Sequence, residues 1–237
     1  MTRAVLCLFA AAVSPAGAEW IIAGYLGGAS HDDTSLRVNQ PELGTNVRFR
    51  DLQYRSNSFD HPLYYGARGG YFFNRHFGID VELIHVKAYA RTLQAAEASG
   101  TIEGRPVSGR ILPATVLDRF SMSHGVNYLF TSFAARHDFM RPPGRDRGPI
   151  TVFARVGGGQ SIPHAESAFR GTEVEHYELG GVAVQVAGGV ELQVWRSLGV
   201  LLEYKYTRGR QSVDVAFGEA EARLKTHHGI FGVVWHF

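Results

Sequence analysis

Along most of the chain apolar and polar residues alternate one by one. Residues 179–195 are the clearest stretch. Val182, Val184, Val186, Val190, Leu192 and Val194 share one face, and Ala183, Gln185, Ala187, Gly189, Glu191 and Gln193 share the other. A period of two places successive side chains on opposite sides of an extended strand. The pattern recurs where Phe77, Ile79, Val81 and Leu83 alternate with Gly78, Asp80 and Glu82, and where Ile150, Val152, Ala154 and Val156 alternate with Thr151, Phe153 and Arg155. Leu198, Val200, Leu202, Tyr204 and Tyr206 alternate with Gly199, Leu201, Glu203, Lys205 and Thr207, and a last strand sets Phe231, Val233, Trp235 and Phe237 against His228, Gly232 and His236. Weaker candidates at 19–30, 62–73 and 119–133 bring the expected set to eight strands.

One aliphatic face and one face of small and charged residues suit lipid outside and a polar lumen inside. The predicted fold is all-β: an eight-stranded antiparallel transmembrane β-barrel with long extracellular loops and short periplasmic turns. A soluble sandwich or lipocalin-like barrel is the competing fold, with its aliphatic face turned inward. Charges mixed with glycines and alanines on the other face favour a narrow, ion-paired lumen. Tyr64, Tyr65, Tyr71, Phe72, Phe73, Tyr128 and Phe130 sit near strand ends, where interfacial girdles are expected. Residues 74–76 and 196–197 read as short turns, 134–148 as a longer connection, and 31–61, 90–118, 163–178 and 208–222 as long polar loops. Both termini then lie in the periplasm. Residues 94–110, rich in Ala, Glu, Gly and Ser, predict a mobile loop, and Gly157-Gly158-Gly159 predicts a bulge or a close approach.

The amino terminus changes the picture further. Arg3, an apolar run over 4–13 and Ala16-x-Ala18 fit a signal peptide over 1–18, leaving 19–237 as the barrel of an exported protein. The one cysteine, Cys7, falls in that segment, so neither a disulfide nor a cysteine zinc site is expected. Of the 237 residues 45% are hydrophobic and 19% charged, which excludes a disordered chain. A net charge of +2 gives no footprint for nucleic acid.

The candidate chemistry sits in two places. Arg68, Glu82, Arg155, Glu191, Glu203 and Lys205 fall on the lumen face, where charges must be paired. They predict an ion-pair network filling a lumen too narrow for a diffusion pore, with a narrow ion pathway as the alternative. The second place is the outer rim, which draws on the 11 histidines. His85 and then Lys87 follow Leu83 on the lipid-facing parity. His124 lies between Met122 and Val126 on the outward parity of the next strand, so the hairpin brings it toward His85. His164 and Glu166 come where the fifth strand leaves the membrane. Polar groups on a lipid-facing surface are costly unless satisfied. They sit at headgroup level or turn inward at a bulge, or they bind lipid A phosphates or a divalent metal ion. The candidate catalytic residues are therefore His85, His124 and Glu166. The candidate metal ligands are His85, His124 and His164, and Lys87 is the candidate for a lipid A phosphate. The spacings match no fixed metal motif, and His227-His228 point to opposite faces.

The barrel resembles the OmpA/opacity-type small outer-membrane barrels across 19–237. A terminal Phe237 after an alternating strand is similar to the signal read by the barrel-assembly machinery. Particular segments carry a narrower resemblance: Tyr64-Tyr65-Gly66-x-Arg68, Phe77-Gly78-x-Asp80-x-Glu82-x-x-His85-x-Lys87-x-Tyr89-Ala90, His124-Gly125-x-Asn127, Gly157-Gly158-Gly159-x-x-Ile162-Pro163-His164-x-Glu166 and Glu203-Tyr204-Lys205. Together they resemble the lipid A oxidases, outer-membrane barrels that use oxygen to convert the proximal glucosamine of lipid A to 2-aminogluconate. The resemblance implies lipopolysaccharide as partner and a site at the external rim. Adjacent Ser123 and His124 point to opposite faces of a strand and make a poor nucleophile–base pair, which ranks a deacylase below an oxidase. A non-enzymatic surface barrel serving envelope stability or adhesion stays open, as does a narrow channel.

Overall fold

In the computed structural model, residues 18–145 and 147–237 are described; the expected signal peptide lies almost wholly outside them. Fourteen strands follow in order: β1 Glu19–His31, β2 Thr34–Gln40, β3 Thr45–Leu52, β4 Tyr54–Arg55, β5 Tyr65–Phe72, β6 Phe77–Ala90, β7 Ala96–Ile102, β8 Arg105–Ile111, β9 Arg119–Phe139, β10 Ile150–Phe169, β11 Thr172–Tyr177, β12 Gly181–Gln193, β13 Leu198–Val215 and β14 Gly218–His236. Eight of them, β1-β5-β6-β9-β10-β12-β13-β14, pair antiparallel in a ring that β1 and β14 close, Ile21 opposite His236 and Gly28 opposite Gly229. Closure leaves no free edge in the ring, the condition for a sheet to span lipid.

The faces point as the alternation requires. Ile79, Val81 and Leu83 are 43–49% exposed, while Asp80 and Glu82 between them are at 2% and 0%. Val182, Val184, Val186, Leu192 and Val194 likewise point outward and Gln185 and Glu191 inward. An unbroken apolar belt therefore surrounds a polar lumen. Trp20, Tyr65, Phe77, Trp195, Tyr204, Trp235 and Phe237 stand exposed on its rims. Tyr64, Phe72, Tyr128 and Phe130 do not join that girdle: they are buried, filling the interior.

The long polar segments are not loops. Above the belt β13 and β14 continue as a hairpin, and β2, β3, β7 and β8 extend the same sheet from the edge of β14. Residues 94–110 form most of the β7–β8 hairpin. These strands have an inward apolar face. Leu36, Val38, Val47, Phe49, Ala96 and Ala98 pack with Phe120, Met122, Val213 and Leu224 into one cluster. Gln40 donates from Nε2 to the carbonyls of Val116, at 3.1 Å, and Ala216, at 2.9 Å, tying the sheet to its roof. At the other end β9 runs on to Phe139, so the connection expected at 134–148 starts only at Met140.

The expected bulge at Gly157-Gly158-Gly159 is absent, since the β9–β10 register runs evenly through it. Those glycines serve close approach instead. A Cβ on Gly159 would lie 1.9 Å from the Leu129 carbonyl oxygen.

Candidate functional site

The irregularity lies a few residues further on. Val126 pairs with Val86 on one side and Pro163 on the other; the next pairs are Met122 with Ala88 and Ser121 with Glu166. Ser123, His124 and Gly125 are thus paired with neither neighbour. Pro163 has no N–H for the ladder, and Gly125 takes φ +100°, a conformation that favours glycine. The bulge resets the parity. Met122 and Val126, expected beside His124 on the outward face, are both fully buried, and only His124 is thrown outward.

Four predicted residues and one unforeseen one meet or flank this point. His124 Nδ1 lies 2.8 Å from Glu166 Oε1, and Ser123 Oγ donates to that same oxygen. His164 Nδ1 is 3.8 Å from Glu166 Oε1, and His164 Nε2 is 3.6 Å from Glu175 Oε1. The His164 ring stands edge-on to His124 and Tyr177, with centroids 4.7 and 4.3 Å away. One ligand atom each from His124, His164, Glu166 and Glu175 lies within 4.8 Å of all the others. His164 Nδ1 is buried with no hydrogen-bond partner. Ligands about 2.0–2.2 Å from one ion stand roughly 3.5 Å apart. The set is slightly open but has the imidazole and carboxylate donors that suit a divalent transition metal. Partial burial pushes the Glu166 carboxyl upward, but hydrogen bonds from Ser123 and His124 and the nearby His124 and Arg119 charges outweigh it and hold it below the usual range.

Glu175 was missed because 163–178 reads as a loop, whereas β11 folds back on β10 and sets Glu175 opposite Glu166. Pro163 and Gly125, both strand breakers inside alternating runs, were the available signal for the bulge. His85 is not in the four-residue group. It stacks on Tyr65 at 4.9 Å, its Nδ1 is 2.9 Å from Asn127 Oδ1, and its Nε2 is buried without a partner. Its ring lies against Gly125, one residue from His124. Lys87 is only 2% exposed and donates from Nζ to the Asp60 carbonyl at 2.8 Å, beneath the segment that follows β4.

The lumen charges form the network their parity predicts. Arg155 donates to Asp80 at 3.1 Å, Glu82 at 3.1 Å and Glu203 at 2.7 Å. Lys205 reaches Glu82 at 2.7 Å, and Arg68 reaches Glu203 at 2.8 Å. Tyr25 and Gln185 donate to the Glu82 carboxylate as well. Glu191 belongs to a separate knot at the end of the barrel where β1 begins and β14 ends, with Arg147 at 2.9 Å and His236 at 2.8 Å. The space left between the two knots is about 30 Å³, room for about one water.

A closed eight-stranded antiparallel ring with an apolar outer belt and an ion-paired lumen defines a small membrane β-barrel of the outer-membrane type. No protein-family model matches the chain, and no curated protein matches it. Among solved structures it is similar to Ail, the attachment invasion locus protein of Yersinia pestis. That match has 10% identity and a TM-score of 0.41 over 94% of this chain and 100% of Ail. It is also similar to Neisserial surface protein A, with 11% identity and a TM-score of 0.44 over 93% of this chain and 99% of that one. The barrel assignment stands on the strand pairing and the exposed belt, independently of these likenesses.

Proposed function

We propose that the chain is an integral protein of the bacterial outer membrane, with both termini periplasmic, and that it oxidises lipid A at the outer leaflet. The observation that carries the proposal is the convergence of His124, His164, Glu166 and Glu175 on the outside of the barrel. They lie beyond the exposed Leu129 and Ile162 of the belt on β9 and β10, where lipid headgroups are expected. The reaction class rests on the resemblance of the sequence segments named above to the lipid A oxidases. In such a reaction the C1 hemiacetal of the proximal glucosamine loses two electrons and two protons to dioxygen, which leaves as hydrogen peroxide, and water opens the resulting lactone to the acid, a net gain of one oxygen atom.

The four residues would hold a divalent metal ion, which supplies Lewis-acid or redox chemistry when bound. Glu166 fixes the orientation of His124 through Nδ1, which leaves Nε2 as the nitrogen that would face the ion. His85, packed on Gly125, sets the position of the bulge that carries His124. Lys87 is covered and holds its own loop, so a lipid phosphate must find other cations.

The test is mass spectrometry of lipid A from aerobically grown cells with and without the expressed protein. The comparison includes His124→Ala, His164→Ala, Glu166→Gln and His85→Ala, each checked for a folded, heat-modifiable band in the outer membrane. A gain of one oxygen atom that the variants lose supports the proposal. Unchanged lipid A with folded wild type in the membrane overturns it. A second reading, a surface barrel serving adhesion or envelope stability, is favoured by the external sheet of β2, β3, β7 and β8. Loss of binding or of envelope integrity on removing the β7–β8 hairpin would identify it. The small residual lumen argues against conduction.

A further inference from the structure

The opposite wall of the barrel carries like charges set face to face. In an antiparallel sheet directly opposed like charges repel. Here Arg208 stands opposite Lys225, and one step further out Arg210 stands opposite Arg223. Across the next strands Arg37 stands opposite Arg48. All six lie on the outward face that continues the apolar belt. Glu221 bridges Arg210, at 2.5 Å, and Arg223, at 3.3 Å. Among the described residues Arg208 and Lys225 have neither an ion pair nor a hydrogen bond from their side chains. Directly below them come Tyr206 and His227, the top of the belt on this wall, with His227 held by the Tyr204 hydroxyl at 2.5 Å and Asp32 at 3.1 Å.

Below that row the surface is hollow. Gly28 and Gly229 oppose each other across β1 and β14 and present no side chains. Phe59, 82% exposed, overhangs Gly28, where an added Cβ would be 3.5 Å from its ring. Leu26, Leu202, Tyr204 and Phe231 complete an apolar groove of about 650 Å³ on the lipid-facing wall. An apolar groove on the lipid-facing wall, with two unpaired cations standing beyond Tyr206 and His227 further along the same strands, has the order of parts of an acylated, phosphorylated lipid.

We propose that the outer face of β13, β14 and β1 binds one phosphorylated, acylated lipid of the outer leaflet. Its acyl chain lies in the groove under Phe59, and its phosphate lies between Arg208 and Lys225. This rests on the outer-membrane placement above but not on any reaction at the His124 cluster, which stands on the far wall. The site takes the charge role that Lys87, being covered, does not.

The test uses the full barrel in phosphatidylcholine nanodiscs doped with lipid A, washed and read by native mass spectrometry. The expected result is one lipid A retained per barrel. Arg208→Gln/Lys225→Gln should retain about thirtyfold less, from roughly a fivefold loss for each cation near an anionic headgroup. Phe59→Ala should weaken retention with the cations intact, and dephosphorylated lipid A should bind as weakly to wild type as lipid A does to the double variant. Each variant is checked for the heat-modifiable folded band. Equal retention by the folded double variant overturns the proposal, as does equal retention of dephosphorylated lipid A. Complete displacement by inorganic phosphate, with Phe59→Ala without effect, would assign a simple anion site and also overturn it. Because retention is read without turnover, loss of lipid oxidation in cells leaves this outcome untouched.

Discussion

Arg155 is the residue on which the lumen depends most. Its side chain is 2% exposed and contacts Asp80, Glu82 and Glu203, with both terminal nitrogens engaged on the Glu82 carboxylate. Together with Arg68 and Lys205 it balances three carboxylates with three cations. Arg155→Met leaves three anions facing two cations where water scarcely enters, and Asp80 loses its ion-pair partner. Removing one member of a buried pair costs about 3–5 kcal/mol, because the remaining charge is stranded rather than because the pair itself is worth that much. Asp80→Asn alone leaves the opposite imbalance. Arg155→Met/Asp80→Asn restores neutrality, so the double variant should be about 0.5–3 kcal/mol more stable than the sum of the single effects, the range expected for contacting residues. The assay is urea unfolding and refolding of the barrel in lipid vesicles, followed by tryptophan fluorescence. Single-variant costs below about 1 kcal/mol, or strict additivity, would refute the view that charge balance governs this interior.

Three further outcomes follow from the rim and the closing strand. Because the folded Glu166 carboxyl is held below its unfolded value, its contribution to stability is complete at neutral pH and declines as pH falls through and below the ordinary glutamate range. A thermal-midpoint series from neutral to acid pH should show this decline in wild type and less of it in Glu166→Gln. Gly125→Ala forces a Cβ to within 2.2 Å of the His85 ring at a positive φ, and should destabilise the folded barrel by about 1–3 kcal/mol in the same urea assay. Phe237→Ala should slow insertion, read as a smaller heat-modifiable fraction at early times after induction, with little change in the stability of barrels already folded.

The membrane part was legible because lipid imposes one rule on every outward position. Val182 to Val194 and Phe77 to Leu83 obey it without exception beyond glycine. Above the belt that rule lapses. Arg37, Arg48 and Arg50 face water there, so the alternation in β2 and β3 reads as polar loop, although Leu36, Val38, Val47 and Phe49 carry the same period of two on the buried side. The lumen network was legible by parity alone. The rim cluster was half legible. His124, His164 and Glu166 were found, but Glu175 depends on a hairpin that the loop reading hid. Lys87 and the neighbours of His124 were misplaced, because β9 departs from regular pairing over three residues beside Val86 and Pro163.

The uninterrupted run of β13 and β14 across the membrane boundary has a mechanical consequence. About nine residues of β13 lie beyond Tyr206, which at ~3.3 Å each along a tilted strand amounts to a projection of roughly 20–25 Å. No hinge separates this mast from its base, since the ladder continues pair by pair from Leu198–Trp235 to Val215–Gly218. A rock of the barrel by about 10° would sweep the tip through about 4 Å. The outer end therefore moves as a lever fixed to the bilayer: whatever presses on it from outside is felt at the lipid seal, and whatever thins the membrane re-aims the surface presented to the surroundings.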